Sequence, residues 1–180
     1  VLYKIKTLFD LGITIHLHCF KYGRAEQKEL LKYCASVTYY HRNIGFYNLF
    51  HNQPYIVRSR VNKNLLRQLL KDDYPVLIEG LHLGWYINQF YKKEKKVFLR
   101  AHNIEHNYYS QLSVAEKNNW KKIYFNLEAK KLKTFESVVN NVDGIFSISE
   151  SEHNYFQNTY GHSTLVLPFH PYIGVQSLIG

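Results

Sequence analysis

Between Lys96 and Tyr109 the chain reads KVFLRAHNIEHNYY, an apolar run that stops abruptly in Arg100, His102, Asn103, Glu105 and His106. A turn used only for connection draws mainly on Gly, Asn, Asp and Pro. This one gathers a guanidinium, two imidazoles, an amide and a carboxylate, groups that bind polar ligands, move protons and stabilise developing charge. Two other apolar runs end in the same way: PVLIEGLH in Glu79 and His82, and GIFSISESE in Ser149 and Glu150. If these runs are parallel strands, their carboxyl ends lie on one edge, where the loops of an open α/β sheet form a ligand crevice. Glu79, His82, Arg100, His102, Glu105, Ser149 and Glu150 then line that crevice. Each except His102 has a plainer reading. Ser149 ahead of Glu150 and Glu152 makes an ordinary helix N-terminus. Glu79-Gly80 makes a tight turn, His82 begins a helix, and Arg100 pairs with Glu105 or another acid.

The elements that would position these groups alternate along the chain. Leu2–Leu11 has helical spacing and Gly12 stops it. Ile13–Phe20 is β-rich, Ala25–Ala35 reads as a helix with Leu30 and Leu31 facing inward, and Ser36–His41 is a second strand. Residues 42–60 are weakly patterned, a loop with a short helix. Asn62 caps a helix carrying Leu65, Leu66, Leu69 and Leu70. Pro75–Gly80 is the third strand, and His82–Lys93 is a helix around Trp85, Ile87 and Phe90. After the strand at Val97 comes a long helical region from about Tyr108 to Asn140, with a drifting apolar stripe of Trp120, Ile123, Leu127, Leu132, Phe135 and Val139. Gly144–Glu152 is a strand ending in polar residues, Glu150–Tyr160 a helix, and Ser163–Phe169 the last strand, with Pro168 and Pro171 marking an exit. Strands and helices in alternation predict an α/β fold, a Rossmann-like, doubly wound parallel sheet with helices on both faces.

Composition narrows the class. The length suits one domain. At 46% apolar and aromatic residues a sizeable core is available, and many of the 16 tyrosines are expected to pack the ring and leave the hydroxyl at the rim. A formal charge of +9 attracts anions, whether nucleic acid, an anionic membrane face or a phosphorylated ligand. Cys19 and Cys34 lack metal-ligand spacing and read as free thiols in a reducing compartment. No apolar run reaches membrane-span length, and no signal peptide opens the chain. The sequence holds no methionine and opens on a helix where a doubly wound domain opens on a strand, so a trimmed chain lacking its first strand is expected.

Other chemistries have little to stand on. His102 and His106 form H-x3-H, a spacing that can bind zinc, but no HExxH and no third spaced ligand accompany them, so no metal is expected. There is no G-x-S-x-G elbow, P-loop or G-x-G-x-x-G. No helix-turn-helix, finger or RNP motif supports nucleic-acid binding. The lysines at 117, 121, 122, 130, 131 and 133 read either as a solvated face or as a face that docks on anionic lipid beside Trp120 and Tyr124.

Taken in order, the pieces resemble the N-terminal domain of GT-B-fold glycosyltransferases of the family 4 type. LFDLGITIHLHCFKYGR (8–24) is similar to that family's first helix, glycine stop and second strand. VFLRAHNIEHNYYSQL (97–112) resembles the R-x-H-N-x-E-x-x-Y segment of a bacterial branch. LEAKKLKTFE (127–136), DGIFSISESE (143–152) and LPFHPY (167–172) resemble the following helix, strand and linker. The resemblance implies a domain over residues 1–172 with 173–180 as a linker remnant. It implies the acceptor-side half of a cytoplasmic enzyme of polysaccharide biosynthesis, and the basic surface with the Trp120 region adds the expectation of a peripheral place at the inner membrane face. Such an enzyme moves a sugar from a nucleotide-sugar donor to a glycan or lipid-linked saccharide. The donor would be held mainly by a C-terminal domain this chain lacks, so the chain alone is expected to be inactive. His102 and Glu105 are the catalytic residues so implied. Arg100, Asn103, Glu79, His82, Ser149 and Glu150 bind substrate, and no cofactor or metal is expected. The rival readings are a non-catalytic sugar- or phosphate-binding α/β domain and a basic nucleic-acid-binding module.

Overall fold

A computed structural model describes residues 2–23 and 25–166. Within them the fold is α/β and Rossmann-like: helices alternate with six strands, and every strand pair is parallel. The strands fall into two sheets rather than the single sheet expected, with orders β1-β2 and β3-β4-β5-β6. The residues described divide into two compact units, 2–40 and 41–166. The LPFHPY segment and the 173–180 tail lie outside the described residues.

In the first unit, helix α1 (Leu2–Asp10) buries Ile5 and ends at Gly12, whose φ of +77° suits a residue without Cβ. Strands β1 (His16–Phe20) and β2 (Ser36–Tyr40) pair from His16↔Ser36 to Phe20↔Tyr40. Between them the expected helix is only a 3₁₀ turn, Lys28–Lys32, and Leu31 is exposed rather than inward. Adjacent leucines cannot both face a core from one short turn. Leu30 and Cys34, four apart and joined by the Cys34 N–H to Leu30 carbonyl bond of 3.0 Å, take the inner side. Cys34 is buried, Cys19 half-buried, and both are free thiols.

The second unit begins with the weakly patterned segment, which forms a 3₁₀ turn at Phe46–Phe50 and a single helical turn, α2 (Tyr55–Arg58). Helix α3 (Lys63–Leu69) starts at Asn62, whose side chain accepts from the Asn64 and Leu65 N–H groups at 2.9 and 3.1 Å. Strand β3 (Val76–Glu79) leads through Gly80 into a 3₁₀ turn and α4 (Trp85–Tyr91), where Ile87 and Phe90 are fully buried. Strand β4 (Val97–Ala101) alternates strictly, Val97, Leu99 and Ala101 inward and Phe98 and Arg100 outward. Strand β5 (Gly144–Ser147), helix α7 (Glu150–Tyr160) and the short β6 (Thr164–Leu165) complete the unit.

The long helical region is two helices, α5 (Glu105–Ala115) and α6 (Asn119–Phe135), continued by a 3₁₀ turn at Glu136–Asn141. The break has a local cause. Glu116 Oε1 accepts from the N–H groups of Lys117 and Asn118, and the Asn118 side chain accepts from those of Trp120 and Lys121. These bonds satisfy the orphan donors of a new helix start. The helices pack on each other, with Ser113 Oγ donating to the Lys122 carbonyl at 3.0 Å and Tyr109 set edge-on to Phe125. The apolar stripe, which lies wholly after the break, does not bury as one face: Leu132 and Val139 are buried, whereas Trp120, Ile123 and Leu127 face solvent. No helix among the described residues is long and apolar enough to cross a membrane.

Glu136, 1% exposed at the end of α6, joins three elements. His106 of α5 lies 3.1 Å from Oε2, while the Tyr155 and Tyr160 hydroxyls of α7 both donate to Oε1, Tyr160 at 2.9 Å. Burial first, then the carboxylate, pushes both hydroxyls above the usual tyrosine range, so they remain donors. Replacing Glu136 by Ala takes the partner from the buried His106 ring and from two half-buried hydroxyls and is expected to lower unfolding stability by about 3 kcal/mol. A urea midpoint unchanged from wild type would contradict that role.

Candidate functional site

The register between β3 and β4 sets Glu79 directly beside Arg100. Neighbours in register on parallel strands share a face, and Arg100 Nη1 donates to Glu79 Oε2 at 3.1 Å. The guanidinium thus pairs with the adjacent strand end and not with Glu105. Two residues on, His102 returns to the same face, with Nε2 3.0 Å from the same Oε2. Arg100 Nη1 also lies 3.2 and 3.3 Å from the two ring nitrogens of His102, across the ring rather than on one lone pair. The carboxylate therefore orients the imidazole with Nε2–H toward it, as second partners commonly fix a histidine tautomer. Arg100 Nε is buried without a hydrogen-bond partner.

Gly80 makes this closeness feasible. Its φ is +92°, and a Cβ there would come 2.7 Å from His82 Cε1 and 3.7 Å from His102 Cδ2. The His82 imidazole closes on the strand end because that residue has no side chain, whereas His102 would be in ordinary contact with a Cβ there. Burial holds the His82 imidazole down at about 3, helped by Arg60, His102 and Arg42 and opposed by Glu79. It is a neutral ring at physiological pH. Glu105 is the first residue of α5 and buried. Burial pushes its carboxyl up; His102 and Arg60 pull it down, and Glu136 adds to the rise.

Arg42 and Arg60 belong to this neighbourhood and were not among the residues expected from sequence. Arg42 Nη2 donates to Ser59 Oγ at 2.9 Å, and Arg60 Nη1 to the Ile56 carbonyl at 2.7 Å. Tyr86 fixes the Arg60 backbone by donating to its carbonyl at 2.8 Å. A signal was available: from His41 to Lys71 the chain has no acidic residue.

The remaining expected residues lie on the rim. Asn103 and Glu150 are exposed. Ser149 caps α7, accepting from the Glu152 N–H at 3.3 Å and sharing a 3.1 Å bond with Ser151 Oγ. The Ala101↔Ser147 register places these turns on the same edge as His102, but the hydrogen bonds of Ser149 are local, those of a helix start. His106 points into the fold toward Glu136, which separates it from His102 as any H-x3-H pair. Among the described residues no group of three His, Cys, Asp or Glu side chains could hold a metal ion.

Chemically the edge offers one shared carboxylate, an oriented imidazole, a guanidinium with a spare donor and two further arginines nearby. Donors and acceptors alternate over a short span, which suits hydroxyl-rich ligands, and the surplus of cations suits an anionic one. Two open depressions lie at the opposite, amino edge of the sheet, about Val142–Thr164 and Tyr91–Asp143. Of their charges, Asp143 accepts from Lys96 Nζ at 2.7 Å and from the Val97 N–H at 2.8 Å, and Lys95 Nζ is held by Asp72. The chemistry therefore points to the carboxyl edge. No protein-family model matches this chain, and no curated protein sequence matches it.

The half-buried, neutral His82 sets an acid dependence. Unfolded, it takes up a proton below about 6.5; folded, only near 3, so between these values the unfolded state holds more protons and stability falls as pH falls. The contribution is fully present above pH 6.5. Moving from pH 6.5 to 5 is expected to cost up to about 2 kcal/mol, and His82→Gln to flatten that limb. Urea midpoints across this range check it, and parallel pH curves for the two proteins would contradict it.

Proposed function

We propose that this chain supplies the acceptor-side wall of a sugar-nucleotide-dependent glycosyltransferase of the GT-B type. The reaction moves a sugar from a nucleotide-sugar donor to a glycan or a lipid-linked saccharide. The observation that carries the reading is the Glu79–Arg100–His102 group at the carboxyl edge of the parallel sheet, bonded at 3.0 to 3.3 Å, with Arg100 and His102 inside the 97–112 segment whose sequence resembles that family. The ordered resemblance along residues 8–172 supports it further.

In this reading His102 faces the transferred sugar, with Glu79 holding its ring. An oriented imidazole hydrogen-bonds sugar hydroxyls and stabilises charge that develops at the anomeric centre. Arg100 keeps Glu79 in place and adds a positive field. Glu105, buried at the first turn of α5, is the second residue the resemblance implies as catalytic. Arg42 and Arg60 add cationic character suited to a phosphate-bearing substrate. That same feature favours the second reading, a phosphosugar-binding domain without catalysis.

In the full-length protein that carries this chain, His102→Ala is expected to lower kcat by roughly 10²–10⁴-fold while the circular dichroism spectrum is retained. Near-wild-type turnover would remove His102 from the reaction. Binding of sugar phosphates with no turnover from any nucleotide sugar would favour the second reading.

A further inference from the structure

The solvent face of α6 is apolar where an ordinary surface helix is polar. Trp120 exposes 80% of its surface, and Ile123 and Leu127 expose 53% each. At spacings of three and four residues they form one stripe, opposite the face that buries Ala129 and Leu132, with Glu128 and Lys131 on the flank between. A second exposed apolar group lies beside it. Ile44, Phe46 and Phe50 expose 70–78%, with the two phenylalanine rings edge-to-face at 5.3 Å. Two bonds pin this segment to α6: Lys131 Nζ donates to the Leu49 carbonyl at 3.0 Å, and Glu128 Oε2 accepts from the Tyr55 N–H at 2.6 Å. Six large side chains thus stand in water on adjoining parts of one surface, more than scattered exposure explains.

The charge around them is one-sided. Lys117, Lys121, Lys122, Lys130 and Lys133 are exposed on and before α6. The acids of residues 107–135 are Glu116, half-buried in the turn, and Glu128, buried. The segment with the phenylalanines lies in the stretch from His41 to Lys71 that has no acid at all. A tryptophan and aliphatic stripe rimmed by lysines is the composition of a helix that lies in a lipid interface, the apolar side chains entering the acyl boundary and the lysines meeting anionic headgroups. A second protein copy would bring the same positive field to itself, which opposes self-association through this face.

We infer that the face formed by α6 and the Ile44–Phe50 segment docks on an anionic lipid bilayer. The inference goes beyond the transfer reading and does not depend on it. If both hold, the docking brings the carboxyl-edge site to a surface where lipid-linked acceptors are displayed.

The test uses the 180-residue chain in vesicle flotation. Wild-type chain is expected to float with phosphatidylcholine–phosphatidylglycerol vesicles, less with pure phosphatidylcholine, and less as salt rises. Trp120→Ser/Ile123→Ser/Leu127→Ser is expected to lose at least tenfold in partition. Because these side chains are exposed, the variant keeps its fold, which circular dichroism checks. Lys121→Gln/Lys122→Gln/Lys130→Gln/Lys133→Gln is expected to lose the preference for phosphatidylglycerol and remove no core contact. Equal partition of wild type and the serine variant, or no binding to either vesicle, overturns the inference. So does a wild-type dimer in sedimentation that the serine variant makes monomeric without vesicle binding. His102→Ala is expected to float like wild type, so failure of the docking and failure of the transfer reading are separable.

Discussion

A carboxylate with almost no exposure is costly unless its oxygens are filled, and Glu136 fills both of its own from two different helices. One is α5, whose first turn follows His102. The other is α7, whose first turn follows Ser149. Each of these helices continues a strand end on the carboxyl edge, so one buried group sets where both loops start. The packing of α5 on α6 holds the far end of that helix, and the His106–Glu136 bond holds the end next to the polar turn after β4. The three hydrogen bonds cost desolvation and return geometry: they fix which way α5 leaves the sheet, and with it the place of the His102 backbone.

The polar group at the edge depends on a second, smaller constraint. Glu79 and Arg100 are register partners, so their pairing follows directly from the strand alignment. His102 joins them because the alternation of β4 returns it to their face. Gly80, at a φ open mainly to glycine, leaves room for the His82 ring beside this group. A ring held by a carboxylate and crossed by a guanidinium is preorganised before any ligand arrives, and preorganisation is what makes such a group useful in stabilising charge. The proposed role of His102 in sugar transfer rests on this arrangement.

Much of the fold was legible in the sequence. β3, β4 and β5 were readable as apolar runs ending in polar residues, and Asn62 and Gly12 marked helix boundaries by their own chemistry. Glu79 and Arg100 were readable as neighbours only once strands were assumed. What stayed hidden was decided by tertiary contact or by local competition. Leu31 looked inward by pattern, but the connection is too short for a helix to bury it. The split between α5 and α6 was written in Glu116 and Asn118, whose side chains cap backbone N–H groups, yet continuous helical periodicity on either side masked it. Arg42 and Arg60 sit in a segment with no periodicity, and their approach to His82 comes from long-range packing that no spacing rule reports. Ser149 shows the reverse case: its plain reading as a helix cap is what its hydrogen bonds support.

The account turns on His102 being held by Glu79 as an oriented ring that meets saccharide. Long-range proton–nitrogen NMR of the histidine side chains reports this directly, with His102 assigned through its Ala variant. The account predicts an Nε2–H tautomer in the free chain that is lost in Glu79→Gln, and His102 resonances that move when saccharides are added at millimolar concentrations. A His102 ring whose signals ignore the Glu79 substitution, and that stays unmoved across a panel of hexose and hexosamine glycosides, would contradict it.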